Sequence, residues 1–202
     1  MTVAWCDELP YGFGWIVPEP RIMERASHAL LAGGGVWLID PVDAEGVEER
    51  VHALGKPAGV VQLLDRHNRD CAFLASGFGV PLLRVPFEGV PGSPFKVLRA
   101  VDRLRWREAA LWWPEEAVLV CADALGTAPY FRAGGESLGV HPLLRLTPPR
   151  PLRTVGSDPQ HVLCGHGAGI HGDGAALALD EALATARSRI PRYLTGLVRG
   201  RR

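Results

Sequence analysis

The stretch Val60–Asp70 reads VVQLLDRHNRD, and it decides how the fold of this chain is interpreted. It begins with an apolar run, which is typical of a buried strand. Imidazole and carboxylate side chains then cluster, and the pattern of Cys71–Phe78 predicts a short helix closed by Gly79. A buried strand, a polar cluster and a helix start have the layout of a metal-binding loop. The residue types suit a metal only in part, because an arginine lies among them and carries a permanent positive charge.

Short apolar runs recur along the rest of the chain between turn residues. Glycines 33–35 separate the runs 29–31 and 36–39, which predicts a β-hairpin because glycine supplies the positive φ of a tight reversal. The spacing of apolar residues predicts helices over 44–54 and 175–190. Further strands are predicted at 60–64, 82–85, 109–113, 117–121 and 161–164. This order indicates a sheet core with helices outside, and 202 residues are enough for one domain over 1–202.

Charge and cysteine content narrow the choice of partners and compartment. The 22 basic and 22 acidic side chains cancel, so no net field favours nucleic acid or a membrane surface, and we expect neither partner. The N-terminus lacks a signal-peptide pattern, and no apolar run approaches the roughly 20 residues that span a bilayer. The four cysteines lie far apart and form no CxxC, which predicts reduced thiols in a cytoplasmic protein.

Four polar or glycine-rich loops follow predicted strands: 65–70, Gly89–Ser93, Asp123 after the run 118–122, and Leu163–Gly167. Loops of these kinds, in this order and behind a glycine-turn hairpin, resemble the metallo-β-lactamase fold superfamily. The resemblance runs from about residue 29 to the final helix. It implies an α/β fold, namely an αββα sandwich of two mixed β-sheets with helices on the outer faces, with a metal site at one sheet edge.

The resemblance also implies which positions would hold metal ligands. The family's first loop usually reads His-x-His-x-Asp-His, followed by a His two residues before Pro-Gly-Ser, a bridging carboxylate and a last His. These seven positions hold Asp65, His67, Arg69, Asp70, Gly89, Asp123 and His166. Three of them keep a ligand type: His67, Asp123 and His166. Two metal ions need more ligands than this set offers.

Two functions from different classes follow from this site. In the first, which we favour, the chain is a non-catalytic relative that has lost its metal and binds a small molecule or another protein. The guanidinium of Arg69 would then partly replace the missing cation, opposed by Asp65, Asp70 and Asp123. In the second, the chain is a hydrolase with one zinc or other divalent ion. That ion is held by His67, Asp123 and His166, and Asp65 or Asp70 orients the attacking water.

Each candidate also has a purely structural interpretation. His67 and Asp70 could cap the following helix, and Asp123 and His166 could be ordinary loop residues. Because side chains alternate along a strand, Cys121 is expected on the same sheet face as Asp123, and Cys164 on the same face as His166. Both cysteines are interpreted as buried core residues in preference to metal ligands. The remaining histidines are interpreted as surface or loop residues: His28, His52, His141, His161 and His171. The tryptophans at 106, 112 and 113 are assigned to the core, with an exposed dimerisation patch in a homodimer as the alternative.

Overall fold

The computed structural model describes residues 3–17, 23–153 and 158–199, and two mixed β-sheets organise them. The strands of the first sheet are β1 (Ala4–Leu9), β2 (Gly12–Val17), β3 (Arg25–Ala32), β4 (Gly35–Ile39), β5 (Pro57–Gln62) and β6 (Leu82–Arg84). They lie side by side in chain order, antiparallel from β1 to β4 and parallel from β4 to β6. The helices that connect the parallel strands are α1 (Val47–Leu54) and α2 (Cys71–Phe78).

The second sheet comes from the later part of the chain. Its strands are β7 (Lys96–Arg103), β8 (Trp106–Trp113), β9 (Val118–Cys121), β12 (His161–Cys164) and β13 (Ile170–His171). The spatial order is β13-β12-β9-β8-β7, and only β9 and β12 run parallel. A small pair, β10 (Leu125–Gly126) and β11 (Gly139–Val140), lies between them in the chain, and α3 (Gly174–Thr185) and α4 (Ile190–Arg199) follow. Short 3-10 helices occupy Pro142–Leu144 and Arg150–Arg153.

Strand β4 shows why the chain forms layers. Its residues are all buried, and successive side chains of a strand point to opposite faces. Trp37 and Ile39 join the apolar cluster shared with the second sheet, whereas Val36 and Leu38 join the cluster beneath α1 and α2. Buried side chains of α3 pack with the second sheet in the first of these clusters. The layers are therefore helix, sheet, sheet, helix, and the predicted αββα sandwich is confirmed.

The element boundaries differ from the prediction in several places. The sequence pattern did not predict six strands, β1, β2, β7, β10, β11 and β13, and β5 ends at Gln62 rather than at residue 64. Helix α1 begins at Val47, because Gly46 adopts a left-handed conformation before it. The helix predicted over 175–190 ends at Thr185, and a second helix, α4, begins at Ile190 with Pro191 in its first turn, where no N–H is needed. Trp106, Trp112 and Trp113 are buried, as expected for core residues.

No helix among residues 3–17, 23–153 and 158–199 is long and apolar enough to cross a bilayer.

A candidate metal centre at the strand ends

The carboxyl ends of strands from both sheets meet at one edge of the sandwich. Asp123 and His166 each lie two residues beyond parallel neighbours, β9 and β12, whose last residues Cys121 and Cys164 are paired in register. The two following loops therefore begin at the same level, which is where sites gather in sheets of parallel strands. His67 comes from the other sheet, in the loop between β5 and α2. The fold thus brings together three side chains that are far apart in sequence.

His67, Asp123 and His166 form a compact buried triad. One ligand atom from each lies within 4.8 Å of the others. Asp123 Oδ1 is 2.9 Å from His67 Nε2 and 3.1 Å from His166 Nε2. The three residues are at most 9% exposed. This is a two-histidine, one-carboxylate donor set of the kind that binds zinc and other divalent transition metals.

The hydrogen bonding of the triad fits a cation better than it fits a closed protein network. Asp123 Oδ1 is buried and meets no donor hydrogen among the described residues, although the Nε2 atoms of both imidazoles lie near it. The far ring nitrogens are both engaged: His67 Nδ1 donates to Asp40 Oδ2 at 3.0 Å, and His166 Nδ1 donates to the Met23 carbonyl at 2.7 Å. In a neutral imidazole this leaves the lone pair on Nε2, facing the carboxylate. Such outer hydrogen bonds orient metal-binding histidines.

Burial and neighbouring groups shift the pKa values of Asp123 and His67 in the triad. Burial raises the pKa of Asp123, but the imidazoles of His166 and His67 outweigh it and hold that pKa well below its usual value. Burial and the charge of Arg69 act to lower the pKa of His67, and the carboxylates of Asp40 and Asp123 outweigh them, so it is raised. The triad is therefore a carboxylate beside the imidazole of His67, whose protonated form is favoured. A divalent cation would take the place of that proton.

Glu108 fixes the loop that carries Asp123. This residue of β8 is fully buried, and its Oε1 accepts hydrogen bonds from Ala122 N at 3.0 Å and Ala124 N at 2.8 Å. Its Oε2 accepts from Trp106 Nε1 at 3.0 Å. Burial, with a contribution from the charge of Asp123, raises the pKa of Glu108 to about 8. The backbone on both sides of Asp123 is therefore held by one side chain.

The Gly-His-Gly sequence around His166 has a steric reason. Gly167 has φ of 83°, and a Cβ there would lie 2.2 Å from Thr127 Oγ1. A Cβ at Gly165 would lie 3.0 Å from the Ala122 carbonyl oxygen, in the loop that carries Asp123. The two glycines let the His166 loop pack directly on its neighbours. Phe131 then stacks on the imidazole, with ring centroids 5.4 Å apart.

Arg69 lies next to the triad and joins the two sheets. Its Nη1 donates to the carbonyls of Ala26 and Asp40, the latter at 2.8 Å, and its Nη2 donates to the Gly165 carbonyl at 2.8 Å. Burial lowers the pKa of Arg69, against the opposing charges of Asp40 and Asp123. The guanidinium is thus positioned by main-chain oxygens, and its predicted role as a partial replacement for a cation stays a prediction.

The other family positions have different surroundings. Asp65 is exposed, and its Oδ2 accepts a hydrogen bond from Arg107 N at 3.0 Å. Asp70 Oδ2 accepts from Asp43 N at 2.9 Å, and Asp70 precedes α2 without a side-chain cap bond. A Cβ at Gly89 would meet nothing within 4 Å, but the φ of 122° there favours glycine. The structure does not bring Asp65 or Asp70 into the triad, and their predicted role in orienting a water stays a prediction.

Two histidines assigned to the surface are buried instead. His28 is 2% exposed, and His141 is 6% exposed against Trp106, Tyr130 and Phe131. Burial lowers the pKa of His141 to about 4. The surface interpretation of these two residues was wrong. His28 lies in β3 with its Nε2 3.2 Å from Asp7 Oδ2, and the sequence around His141 gives no sign of the aromatic side chains that pack on it.

Two supporting groups of the site were missed in the sequence: Asp40 and Glu108. Asp40 follows β4 directly, and a carboxylate at the end of a buried strand could have indicated a site residue. Glu108 is an acidic residue among the apolar residues of β8, and this exception in the pattern could also have indicated a role at the site. The cysteines of the neighbouring strands are buried, with Cys121 Sγ and Cys164 Sγ 3.9 Å apart, as expected for core residues. His161 and His171 lie in β12 and β13 rather than in loops.

Comparison with known proteins identifies the fold. No family model matches this chain, and no curated protein matches it. A crystal structure of DIM-1 metallo-β-lactamase exposed to ceftazidime is similar, with a TM-score of 0.59, 12% identity, and coverage of 91% of this chain and 97% of that one. A structure of TMB-1 gives 0.60 at 10% identity, covering 94% and 97%. A metallo-β-lactamase from Pontibacter korlensis gives 0.58 at 10% identity, covering 91% and 99%. The chain therefore has the metallo-β-lactamase fold, at a sequence distance that makes it a divergent example.

Proposed function

We propose that the chain holds one divalent metal ion at His67, Asp123 and His166 and acts as a one-metal hydrolase. The observation that carries this proposal is the buried Asp123 Oδ1, which faces two imidazole nitrogens and has no hydrogen-bond partner among the described residues. An oxygen of this kind costs free energy unless something satisfies it. The similarity to metallo-β-lactamase structures supports the same assignment at the level of the fold.

Three protein ligands are the number that hydrolytic zinc sites use, with a further position left open. A divalent cation there would polarise a carbonyl or phosphoryl group and lower the pKa of a water molecule. The chain's own residues orient the ligands: Asp40 and the Met23 carbonyl hold the two imidazoles, and Glu108 holds the Asp123 loop. Phe131 covers one face of His166 and limits access of water from that side.

Elemental analysis tests the metal assignment. After zinc loading and removal of excess metal, we expect about one equivalent per chain, and His166→Ala should retain less than about a tenth. His52→Ala is the matched control, because this histidine lies on α1 with a side chain that is 57% exposed. Unchanged uptake in His166→Ala, or no uptake by the unaltered chain, would exclude the assignment.

Hydrolysis is tested on the same preparations. The zinc-loaded chain should hydrolyse activated esters or amides faster than the chelated chain, and Asp123→Asn should abolish the difference. Asp65→Asn and Asp70→Asn then measure the predicted water-orienting role. A loss of turnover without a loss of zinc in one of them supports that role.

A metal-free binding module is the second candidate. Arg69 favours it, because this permanent cation interacts with both Asp40 and Asp123 and would oppose a metal ion nearby. If this candidate is correct, the unaltered chain takes up neither zinc nor manganese. Its stability should then be insensitive to chelators.

A further inference from the structure

A charged side chain lies beside the triad and is not part of it. Arg66 directly precedes His67, and its Nη2 is 3.9 Å from Asp123 Oδ2, whereas the two imidazoles lie near the other carboxylate oxygen, Oδ1. The Arg66 side chain is 43% exposed. Its guanidinium therefore lies at the boundary between the buried triad and solvent.

The guanidinium is held in one place by an aromatic surface. Its central carbon lies 4.0 Å from the centroid of the Trp106 ring, and Nη1 donates to the Arg105 carbonyl at 3.1 Å. Trp106 is itself fixed, because its indole N–H donates to Glu108 and its ring packs against His141 with centroids 4.8 Å apart. A cation stacked on a fixed ring loses less freedom when it binds a ligand than a free surface arginine does.

The stacked guanidinium keeps unused donors. An arginine carries five N–H groups, and Arg66 makes one hydrogen bond within the described ranges. The separation of 3.9 Å from Asp123 is too long for a second one. A weak ion pair with Asp123 would explain a basic residue at position 66, but it would not explain why the guanidinium stacks on Trp106. The free edge of the guanidinium suits an oxyacid, whose two oxygens can accept from the fork together.

We infer that Arg66 is the specificity-determining residue of this site and that it binds an anionic oxyacid group of the substrate, a carboxylate or a phosphate, beside the reacting bond. The inference rests on the proposed function, because the triad is taken as the place where the reacting group sits. It adds a substrate class to that function: esters or amides with an anionic group close to the bond that is cleaved.

Anion binding to the purified chain tests the inference directly. Inorganic phosphate and acetate are titrated separately by calorimetry into zinc-loaded protein at low ionic strength, and comparison of the two identifies the preferred oxyacid. Arg66→Gln should weaken the preferred anion at least tenfold, while its zinc affinity should not fall, because the substitution removes a cation near Asp123. Arg66→Lys should lose a smaller factor, because an ammonium keeps the charge and lacks the fork.

Arg105→Gln is the matched control, since it removes the same charge from the adjacent exposed loop. It should bind the anion within about twofold of the unaltered chain, because Arg105 holds Arg66 through its main-chain carbonyl, which the substitution keeps. Equal anion affinity in Arg66→Gln and the unaltered chain would overturn the inference, as would equal losses in Arg66→Gln and Arg105→Gln. Thermal unfolding of the three proteins checks that the fold is unchanged.

Failure of the proposed function is distinguishable from failure of the inference. If zinc does not bind, the titration is repeated on the metal-free chain, where Arg66 still presents its donors. An Arg66-dependent phosphate or acetate site would then support the inference while the metal assignment fails. Absence of any anion binding up to millimolar concentration in both forms would overturn the inference alone.

Discussion

Replacing Arg69 by methionine should destabilise the fold more than any surface arginine substitution. The guanidinium donates to three main-chain carbonyls, those of Ala26 in β3, Asp40 after β4 and Gly165 after β12. These acceptors belong to both sheets, so the side chain fastens the sandwich at the edge that carries the triad. Methionine preserves much of the volume and removes all three bonds.

The size of the effect can be worked out from these contacts. A hydrogen bond to a charged group contributes about 1.5–3 kcal/mol, which would give several kcal/mol for three. Two of the carbonyls keep another donor, because Ser27 Oγ also donates to Asp40 O and Ala26 N also donates to Gly165 O. Removing the charge also recovers part of the cost of burying it. We therefore expect a loss of about 3–4 kcal/mol of unfolding free energy.

Urea unfolding at 25 °C measures this loss as a shift of the midpoint at constant slope. Arg99→Met is the matched control, because Arg99 pairs with Glu88 on the exposed surface, where such pairs contribute less than about 1 kcal/mol. A loss in Arg69→Met no greater than in the control would refute the reasoning. The same variant tests the charge-replacement prediction, which requires tighter metal binding once the cation is gone.

Three further perturbations act on buried polar groups around the site. The pKa of His141 is about 4 in the folded chain and about 6.5 in the unfolded chain, so the unfolded state binds more protons between these values. The free energy of unfolding should therefore fall by up to about 3 kcal/mol as the pH falls from 6.5 to 4. In urea titrations, His141→Asn should show a weaker dependence of stability on pH. Glu108→Ala removes the acceptor for the backbone on both sides of Asp123, and zinc affinity measured by chelator competition should fall about 10–100-fold. Arg145→Met leaves the buried carboxylate of Glu136 without its partner at 2.7 Å, and thermal unfolding should show a loss of stability near 3 kcal/mol. This is the low end for a broken buried pair, because Arg189 still lies 3.5 Å from Glu136.

The layers of the fold could be predicted because buried strands have a distinctive composition. Strands β4 and β5 are covered on both faces, so they contain continuous apolar runs that are easy to recognise. Strand β7 reads KVLRAVDR and is an edge strand with exposed charges, and its pattern resembles a loop as much as a strand. Its pairing with β8 is determined by the partner strand rather than by its own residues.

The triad could be predicted from its position at strand ends, whereas its support could not. Asp123 and His166 follow apolar runs at the carboxyl ends of parallel strands, a place with a known chemical use. Glu108 acts through a contact between β8 and a loop more than ten residues later, which only the folded chain brings together. The burial of His141 depends likewise on aromatic side chains from two other segments.

The most direct test of the account is the stoichiometry of zinc binding, measured by calorimetric titration of the chelated chain and of Asp123→Asn. The account predicts one site per chain in the unaltered protein and at least a hundredfold weaker binding in the variant, because the amide removes the negative charge between the two imidazoles. Two sites per chain, no site, or equal affinity in both proteins would contradict the assignment of one metal ion to His67, Asp123 and His166.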